Sequence, residues 1–179
     1  MFRAAIRPGL ELRLLEERHA PEVFRLTNQD RAYLRQWLPW VDSTICEDDT
    51  LAFIRETLSQ FAAGDSITCG MWHNQAFAGV LGTHKFNRLY HKVELGYWLG
   101  ESFQGKGIVT DCCRALITHL FEERGMNRVE ICCAVENAKS IAVPKRLGFK
   151  LEGTLREADF SGGRYHDLYI FGMLKREWK

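Results

Sequence analysis

Residues 95–110 read LGYWLGESFQGKGIVT: an apolar strand-like segment, a short loop with two glycines, and the start of an apolar helix. Glycine lets backbone N–H groups come close to a ligand, and a helix N-terminus carries partial positive charge. Lys106 can add a positive charge at the rim of this loop. The stretch therefore predicts a binding loop for a pyrophosphate group between a strand and a helix.

Two other phosphate-binding patterns fit this loop less well. A Walker A loop needs G-x-x-x-x-G-K-[ST], which the chain lacks, and a dinucleotide fingerprint needs a third glycine where Thr110 stands. No second parallel strand with an acidic residue follows at the distance that a dinucleotide fold requires. Taken alone, the loop is also compatible with an ordinary glycine-rich turn before a helix.

The helix after the loop is predicted over residues 107–124, with Gly125 as its C-terminal cap, from a single apolar stripe formed by Val109, Cys112, Cys113, Leu116, Ile117 and Leu120. Elsewhere the periodicity predicts strands at 10–14, 66–72, 76–85, 92–99, 128–135, 149–155 and 165–174, and helices at 19–37 (as two short ones), 48–63 and 138–146. A tight turn at His73-Asn74-Gln75 indicates an antiparallel meander. About seven strands with flanking helices predict a mixed α/β sheet that is not doubly wound.

Length and composition predict a single domain over residues 1–179, with its core at about 10–176. The 179 residues are 46% apolar and 26% charged, which is ordinary for a globular protein. A formal net charge of +1 argues against a protein that wraps nucleic acid. No apolar run reaches the roughly 18 residues of a membrane span, and the start lacks a secretory signal, so no membrane association and a cytoplasmic location are predicted.

The six cysteines are predicted to be reduced structural thiols. Two pairs are adjacent, Cys112-Cys113 and Cys132-Cys133, while Cys46 and Cys69 stand alone. The chain has no C-x-x-C pattern and no histidines at zinc-ligand spacing, so we expect no metal. Cysteines in apolar segments usually behave as small buried hydrophobes.

The pattern Gln104-x-x-Gly107-x-Val109 resembles the Q/R-x-x-G-x-G/A signature of the GNAT superfamily of N-acetyltransferases, with Val109 in place of the usual Gly or Ala. The likeness continues in residues 96–99, 137–140, 146–153 and 165–167, and it covers about residues 10–176. It is strongest to the branch of ribosomal-protein serine and alanine N-acetyltransferases. The resemblance implies a GNAT fold, acetyl-CoA as cosubstrate without a metal, and a homodimer.

The resemblance also implies which residues hold acetyl-CoA. Backbone amides of the loop would bind the pyrophosphate, the preceding strand would pair with the pantetheine amides and supply an oxyanion donor, and Asn137 would cap a helix and contact the carrier. The implied set is Tyr97, Trp98, Leu99, Gln104, Gly105, Lys106, Gly107, Ile108, Val109, Thr110 and Asn137.

Acetyl transfer from a thioester to an amine needs a base, a donor for the oxyanion and an acid for the leaving thiolate, but no covalent intermediate. Two carboxylates are candidate bases: Glu94 on the predicted strand, and Asp159 by resemblance to the serine-acetyltransferase branch. An amine with a pKa of about 8 can also lose its proton to water. Ser140 is, by the same resemblance, the candidate acid. The alternatives are a solvent-facing strand glutamate, a solvated loop aspartate and an exposed serine behind a helix cap.

For the acceptor, the resemblance favours the N-terminal α-amine of a protein such as a ribosomal protein. The cluster Trp37-Leu38-Pro39-Trp40 is a candidate wall of the acceptor pocket or a packing cluster, and His166 is predicted to be structural. Three alternatives stay open. The first is a small-molecule amine such as a polyamine or aminoglycoside, for which residues 47–49 (Glu47-Asp48-Asp49) could form an acidic pocket. The others are a non-catalytic acyl-CoA-binding module and a binder of nucleotide phosphates.

Overall fold

The computed structural model describes residues 3–179 and joins its strands in one mixed sheet. The strands are β1 (Arg3–Arg7), β2 (Leu10–Leu14), β3 (Thr68–His73), β4 (Ala76–Thr83), β5 (Lys92–Leu99), β6 (Arg128–Ala134), β7 (Lys150–Ser161) and β8 (Arg164–Leu174). The helices are α1 (Ala20–Gln29), α2 (Arg31–Leu34), α3 (Glu47–Ala62), α4 (Ile108–Glu122) and α5 (Ala138–Arg146). The strand order is β1-β2-β3-β4-β5-β6-β8-β7, and among the described residues only β5 and β6 pair in parallel.

The predicted meander of β3, β4 and β5 is confirmed, and its first turn has a clear local cause. His73 pairs with Ala76, which leaves Asn74 and Gln75 as a two-residue loop with φ angles of 49° and 68°. Two positive φ angles define the hairpin turn whose twist matches that of the flanking strands. Asparagine tolerates this conformation better than most residues do, so the turn is encoded locally.

β1 is not predicted by the sequence pattern, and the sheet has eight strands where about seven are expected. Residues 3–7 (RAAIR) have exposed side chains at every second position, and none is fully buried. So little buried apolar surface leaves no period-two signal. The strand conformation comes from pairing with β2, where Ala4 lies opposite Leu12.

β7 also departs from the prediction, because it runs to Ser161 and past the expected end at residue 155. Most side chains of residues 150–160 are exposed, so hydrophobicity does not mark the strand. Its second half pairs with β8 after an irregularity between Leu155 and Asp159, where Glu157 has a φ of 49°. Pairing with β8 therefore sets the length of β7.

The sheet separates two apolar clusters. The predicted stripe of α4 is buried in the larger one, where Cys112, Ile117 and Leu120 are fully covered. The smaller cluster lies under α1 and α3 and is built from Leu15, Ala20, Val23, Leu26, Ile54, Trp72, Phe77 and Val80. Burial of these faces is the main stabilising contribution to such a fold.

β5 and β6 pair for only part of their length. Their register runs from Lys92 opposite Arg128 to Leu95 opposite Ile131, whereas β5 continues to Leu99 and β6 to Ala134. Beyond Leu95 the sheet therefore opens between its two parallel strands. Carboxyl ends of parallel strands are the usual place for ligands in α/β proteins, and this opening defines the site described below.

All six cysteines are free thiols in this structure, and Cys69, Cys112, Cys113 and Cys133 are buried. Burial raises the pKa of Cys69 and of Cys112 to about 12. Within residues 3–179, no group of three or more His, Cys, Asp or Glu side chains is arranged to hold a metal ion. None of the helices in the same range is long and apolar enough to cross a membrane.

We predict that Cys69 makes the fold less stable in alkali. Between pH values near 9 and 12 the unfolded chain releases the Cys69 proton while the folded chain retains it, so the free energy of unfolding falls as the pH rises. From pH 8 to pH 10 the expected loss is about 1.4 kcal/mol for this thiol.

Urea denaturation of the wild type and Cys69→Ala at both pH values, under reducing conditions, measures this difference. The variant has a lower baseline stability because of its cavity, so the comparison uses the change with pH. An equal change in both proteins contradicts the prediction.

Candidate active site

A cleft of about 1950 Å³ enters the molecule where β5 and β6 separate. It is bounded by the loop before α4 and by α5 on one side, and by α2 and α3 on the other. All residues predicted for the site line it: Glu94, Tyr97, Trp98, Leu99, Gln104, Gly105, Lys106, Gly107, Ile108, Val109, Thr110, Asn137, Ser140 and Asp159. The fold thus brings together residues that are up to 65 positions apart in the chain, from Glu94 to Asp159.

The exposed edge of β5 offers unpaired backbone groups to this cleft. The Gly100 amide donates to the Ala78 carbonyl on β4 at 2.8 Å. Hydrogen bonding to one neighbour alternates along a strand, so the even-numbered residues at this end of β5 bond to β4. The N–H and C=O groups of Tyr97 and Leu99 therefore face the opening, where β6 no longer pairs with them. An extended ligand with amide groups can hydrogen-bond there as an added strand.

The loop before α4 presents a run of free amides. Gly105 and Gly107 both have a φ of 73°, and Gly107 is the N-cap of α4. A Cβ atom on Gly105 would meet nothing within 4 Å, so backbone conformation and not crowding favours glycine there. Within residues 3–179, the backbone N–H groups of Gly105 and of residues 107–110 donate no hydrogen bond, whereas the Lys106 N–H closes a turn over residues 104–105. The four consecutive free amides of residues 107–110 at a helix N-terminus form an anion-binding site.

Three cationic side chains line the cleft beside this loop. Lys106 donates to the Ser102 carbonyl at 2.9 Å, so its ammonium group lies along the loop. Arg146 donates through two nitrogens to the Thr110 hydroxyl at 3.0 and 3.1 Å. Lys139 lies on the first turn of α5. These charges favour an anion at the free amides.

The two polar side-chain atoms of Gln104, Oε1 and Nε2, differ in their hydrogen bonding. Its Oε1 accepts a hydrogen bond from Lys139 Nζ at 2.6 Å. Its Nε2 is buried near the Tyr33 hydroxyl and makes no hydrogen bond of normal geometry to a described residue. A buried donor without an acceptor is unfavourable, so this atom fits a ligand that supplies an acceptor.

The structure gives a physical reason for the contact between Tyr97 and α5. Pro144 lies inside α5 and has no N–H, so the carbonyl of Ser140, four residues earlier, lacks its helical donor. The Tyr97 hydroxyl supplies the missing hydrogen bond at 3.0 Å. A proline in the helix thereby anchors a β5 side chain at the candidate acid.

The Ser140 hydroxyl lies in a short hydrogen-bonded chain. It is 3.2 Å from the Tyr97 hydroxyl and 3.2 Å from Cys133 Sγ. Burial raises the pKa of Tyr97 well above its usual range, and burial likewise raises the pKa of Cys133. Both groups therefore keep their protons, so Cys133 can donate to Ser140 while Ser140 donates to Tyr97. Asn137 caps α5, because its Oδ1 accepts from the Ser140 amide at 3.1 Å.

Glu94 lines the cleft from β5 on the side of α3. Its side chain is 37% exposed, and its Oε1 lies 3.9 Å from His84 Nε2. The neighbouring thiol of Cys132 has its pKa raised to about 12, first by burial and then by the charge of Glu94. The Glu94 carboxylate thus borders both the cleft and the Cys132 thiol.

Asp159 reaches the cleft from the hairpin between β7 and β8. The Ser161 hydroxyl lies 3.3 Å from Asp159 Oδ2 and 3.2 Å from the Gln36 carbonyl, which ties the hairpin to the segment after α2. His166, paired with Asp159 across the hairpin, is buried outside the cleft lining. Its ring nitrogens lie 3.3 Å from Glu136 Oε2 and 3.1 Å from the Ser161 carbonyl. His166 therefore fastens the hairpin that carries Asp159.

The aromatic cluster predicted for the acceptor pocket is largely in place. Trp37, Leu38 and Trp40 line the cleft, and Pro39 does not. Trp40 is 36% exposed, and its ring lies 5.9 Å, centroid to centroid, from that of Trp98. The indole pair forms an apolar wall across the cleft from the loop and α5.

The acidic residues considered for a polyamine pocket are not gathered at the cleft. Among Glu47, Asp48 and Asp49, only Asp49 lines it. The Asp49 carboxylate accepts hydrogen bonds from the amides of Ile45 and Cys46 at 2.9 and 3.0 Å, which lower its pKa. It serves the N-terminus of α3, so this cluster does not form the acidic pocket that a polyamine would need.

The cleft lining includes residues that were not assigned to the site from the sequence, among them Cys133, Lys139 and Arg146. Lys139 and Arg146 lie in residues 137–140 and 146–153, two segments that resemble the family. Their position in these segments could therefore have indicated that they belong to the site. Cys133 had no such signal, because an apolar strand hides which thiol lies beside a helix. Its contact with Ser140 depends on how α5 packs on β6.

Comparison with known proteins bears on the fold and the family of this chain. A family model described as an acetyltransferase (GNAT) domain matches residues 9–150. The putative ribosomal N-acetyltransferase YdaF of Bacillus subtilis (strain 168) is 38% identical over 184 residues, covering 100% of this chain and 98% of that protein. The ribosomal-protein-serine acetyltransferase of Escherichia coli (strain K12) is 30% identical over 166 residues, 93% of each chain.

A solved structure extends the comparison to three dimensions. RimL, a ribosomal L7/L12 alpha-N-protein acetyltransferase in complex with coenzyme A, matches with a TM-score of 0.93 at 30% identity. The match covers 97% of this chain and 98% of that one. The predicted α/β fold with a mixed sheet and flanking helices is confirmed.

The link between Tyr97 and Pro144 can be measured by a double-mutant cycle. Tyr97→Phe leaves the Ser140 carbonyl without a donor, so we expect a loss of about 1–2 kcal/mol in the free energy of unfolding. Pro144→Ala restores a helical N–H for that carbonyl, so the loss from Tyr97→Phe should be at least about 1 kcal/mol smaller in its presence.

Urea denaturation of the four proteins measures the coupling. The packing lost on removing the proline ring is common to both backgrounds and cancels. Losses that agree to within roughly 0.5 kcal/mol would show that the two residues act independently.

Proposed function

Because this chain belongs to the GNAT family of acetyltransferases, we propose that it moves an acetyl group from acetyl-CoA to the N-terminal α-amine of a protein, with a ribosomal protein as acceptor. The observation that carries the proposal is the run of free backbone amides at residues 107–110, at the mouth of the opening between β5 and β6. An acyl carrier with a pyrophosphate and a chain of amides matches both features.

In this proposal the residues divide the binding of acetyl-CoA. The amides of residues 107–110 bind the pyrophosphate, with Lys106, Lys139 and Arg146 adding positive charge. The free backbone groups of Tyr97 and Leu99 pair with the pantetheine arm, and one amide of β5 stabilises the oxyanion. The buried Gln104 Nε2 and the amide nitrogen of Asn137 supply further donors.

The reaction is direct attack of the amine on the thioester carbonyl. The C–N bond forms, the C–S bond breaks, and the amine proton passes to a base or to water. Ser140 gives its hydroxyl proton to the departing thiolate and can regain one from the Cys133 thiol, 3.2 Å away. The thiol then recovers its proton from solvent through the cleft. A weak base suffices, because an α-amine has a pKa of about 8.

Two carboxylates are proposed as alternative bases, and they reach the cleft from different elements. Glu94 comes from β5 on the α3 side, and Asp159 comes from the hairpin between β7 and β8. A peptide acceptor entering between Trp40 and this hairpin passes close to both elements. The pH dependence of the rate in variants of each carboxylate shows which of the two acts as the base.

The acceptor proposal rests on the relatives and on the shape of the cleft. Two of the similar proteins named above are ribosomal-protein acetyltransferases by name, and one of these names specifies the α-amine. The aromatic wall and the commitment of Asp49 to α3 favour a peptide terminus over a polyamine. We further propose one domain over residues 1–179, a cytoplasmic location and a homodimer, in keeping with the family resemblance.

The proposed function is tested by amine-dependent release of CoA from acetyl-CoA. Peptides that copy ribosomal-protein N-termini beginning with Ser or Ala should be acetylated, and the same peptides with a blocked α-amine but a free lysine should not. Mass spectrometry locates the acetyl group. Transfer to spermidine alone would establish the small-molecule reading.

A thermal-shift comparison separates the remaining alternatives. Acetyl-CoA or CoA at about 100 times its dissociation constant should stabilise the fold by roughly 2.7 kcal/mol, whereas ATP and NAD should not. Stabilisation by CoA without acetylation of any amine would indicate an acyl-CoA-binding module. Stabilisation by ATP or NAD alone would indicate a nucleotide-phosphate binder.

Variants of the proposed catalytic groups should affect turnover and not carrier binding. Ser140→Ala should lower kcat on the order of 100-fold while KM for acetyl-CoA changes by less than about twofold. Ser102→Ala, at an exposed serine beside the cleft, is the matched control and should behave as the wild type.

For the base, Glu94→Gln and Asp159→Asn are compared by pH–rate profile. The variant that lacks the base should lose the acidic limb of the profile. Unchanged limbs in both variants would leave water as the base, and an unchanged kcat in Ser140→Ala would remove that residue as the acid.

A further inference from the structure

Arg7, the last residue of β1, contacts the loop before α4 from behind. Its Nη2 donates to the Lys106 carbonyl at 2.9 Å, and its Nε donates to Asp111 Oδ2 at 2.7 Å. Lys106 lines the cleft, but Arg7 and Asp111 do not. The guanidinium therefore holds the free-amide loop from its outer side.

The first contact fixes the direction of one amide. In a trans peptide the C=O and the following N–H point in opposite directions. With the Lys106 carbonyl turned toward Arg7, the Gly107 N–H points away from Arg7 and toward the cleft. Glycine at 105 and 107 leaves this backbone permissive, and a flipped peptide would put a carbonyl oxygen into the anion site.

The second contact neutralises a charge beside the same site. Asp111 lies in the first turn of α4, where a carboxylate is favourable for the helix but repels an anion at the helix N-terminus. A Cβ placed on Gly107 would lie 3.7 Å from Asp111 Oδ2, so this carboxylate borders the loop. The ion pair with Arg7 offsets its charge and directs it away from the amides.

We propose that Arg7 is a positioning residue for binding of the acetyl-CoA pyrophosphate: it orients the Lys106–Gly107 peptide and neutralises Asp111. The inference rests on the proposed function only in naming the anion. It also assigns a role to β1, the strand that the sequence pattern does not reveal. Arg7 touches no reacting atom and acts only through the loop.

Arg7→Met is tested with acetyl-CoA and with acetyl-pantetheine, which lacks the pyrophosphate. We expect KM for acetyl-CoA to rise about tenfold, with kcat and KM for acetyl-pantetheine within about twofold of the wild-type values. Arg3→Met is the matched control, because Arg3 lies on the same strand but pairs with Glu11. It should match the wild type for both donors.

Two further variants separate the orientation of the peptide from the charge. Arg7→Lys keeps a positive charge but loses the two-pronged geometry, so its KM for acetyl-CoA should lie between those of the wild type and Arg7→Met. Adding Asp111→Asn to Arg7→Met should recover part of the loss. Arg7→Lys also keeps the test open if Arg7→Met fails to fold.

The outcomes distinguish this inference from the proposed function. An unchanged KM for acetyl-CoA in Arg7→Met, or an equal rise for both donors, overturns the role of Arg7 and leaves the function standing. If the wild type transfers no acetyl group but binds CoA, the same ratios are read from the dissociation constants of CoA and pantetheine by calorimetry. A wild type that binds neither CoA nor inorganic pyrophosphate overturns both.

Discussion

The separation of β5 from β6 after Leu95 is the constraint on which the rest of the site depends. Two parallel strands that stay paired would use up the N–H and C=O groups of Tyr97 and Leu99. By parting, they leave these groups free and open the cleft, which the loop before α4 and α5 border on one side. The loop before α4 and the start of α5 follow the carboxyl ends of these two strands, so the anion loop and Ser140 converge at the opening.

The anion site consists mostly of backbone amides of the loop before α4. Its geometry therefore depends on the side chains that hold this loop in place. Gly105 and Gly107 permit the left-handed conformation but do not enforce it. Side chains from remote elements complete the arrangement: Arg7 from β1 and Arg146 from α5. A loop that is permissive in sequence becomes ordered through contacts made elsewhere in the fold.

The position of the candidate acid, Ser140, follows from the replacement of one hydrogen-bond donor by another. Pro144 removes a helical donor from the Ser140 carbonyl, and Tyr97 of β5 supplies it. The same contact brings the hydroxyls of Ser140 and Tyr97 to 3.2 Å. Helix irregularity and site geometry thus have a single cause, since an uninterrupted helix would have left Tyr97 without this acceptor.

Short-range patterns in the sequence determined a large part of this protein. The stripe of α4, the strand β5 and the turn at Asn74-Gln75 follow from periodicity and local conformational preference, and residues 104–109 marked the anion loop. The family likeness then brought Glu94, Ser140 and Asp159 to attention. Only the tertiary structure decided that residues 3–7 form a strand and that Arg7 hydrogen-bonds the loop before α4. It also decided that Cys133 contacts Ser140 and that the Asp49 carboxylate accepts hydrogen bonds at the start of α3. These depend on residues far apart in the chain, or on which of several polar partners a side chain reaches, and packing settles both.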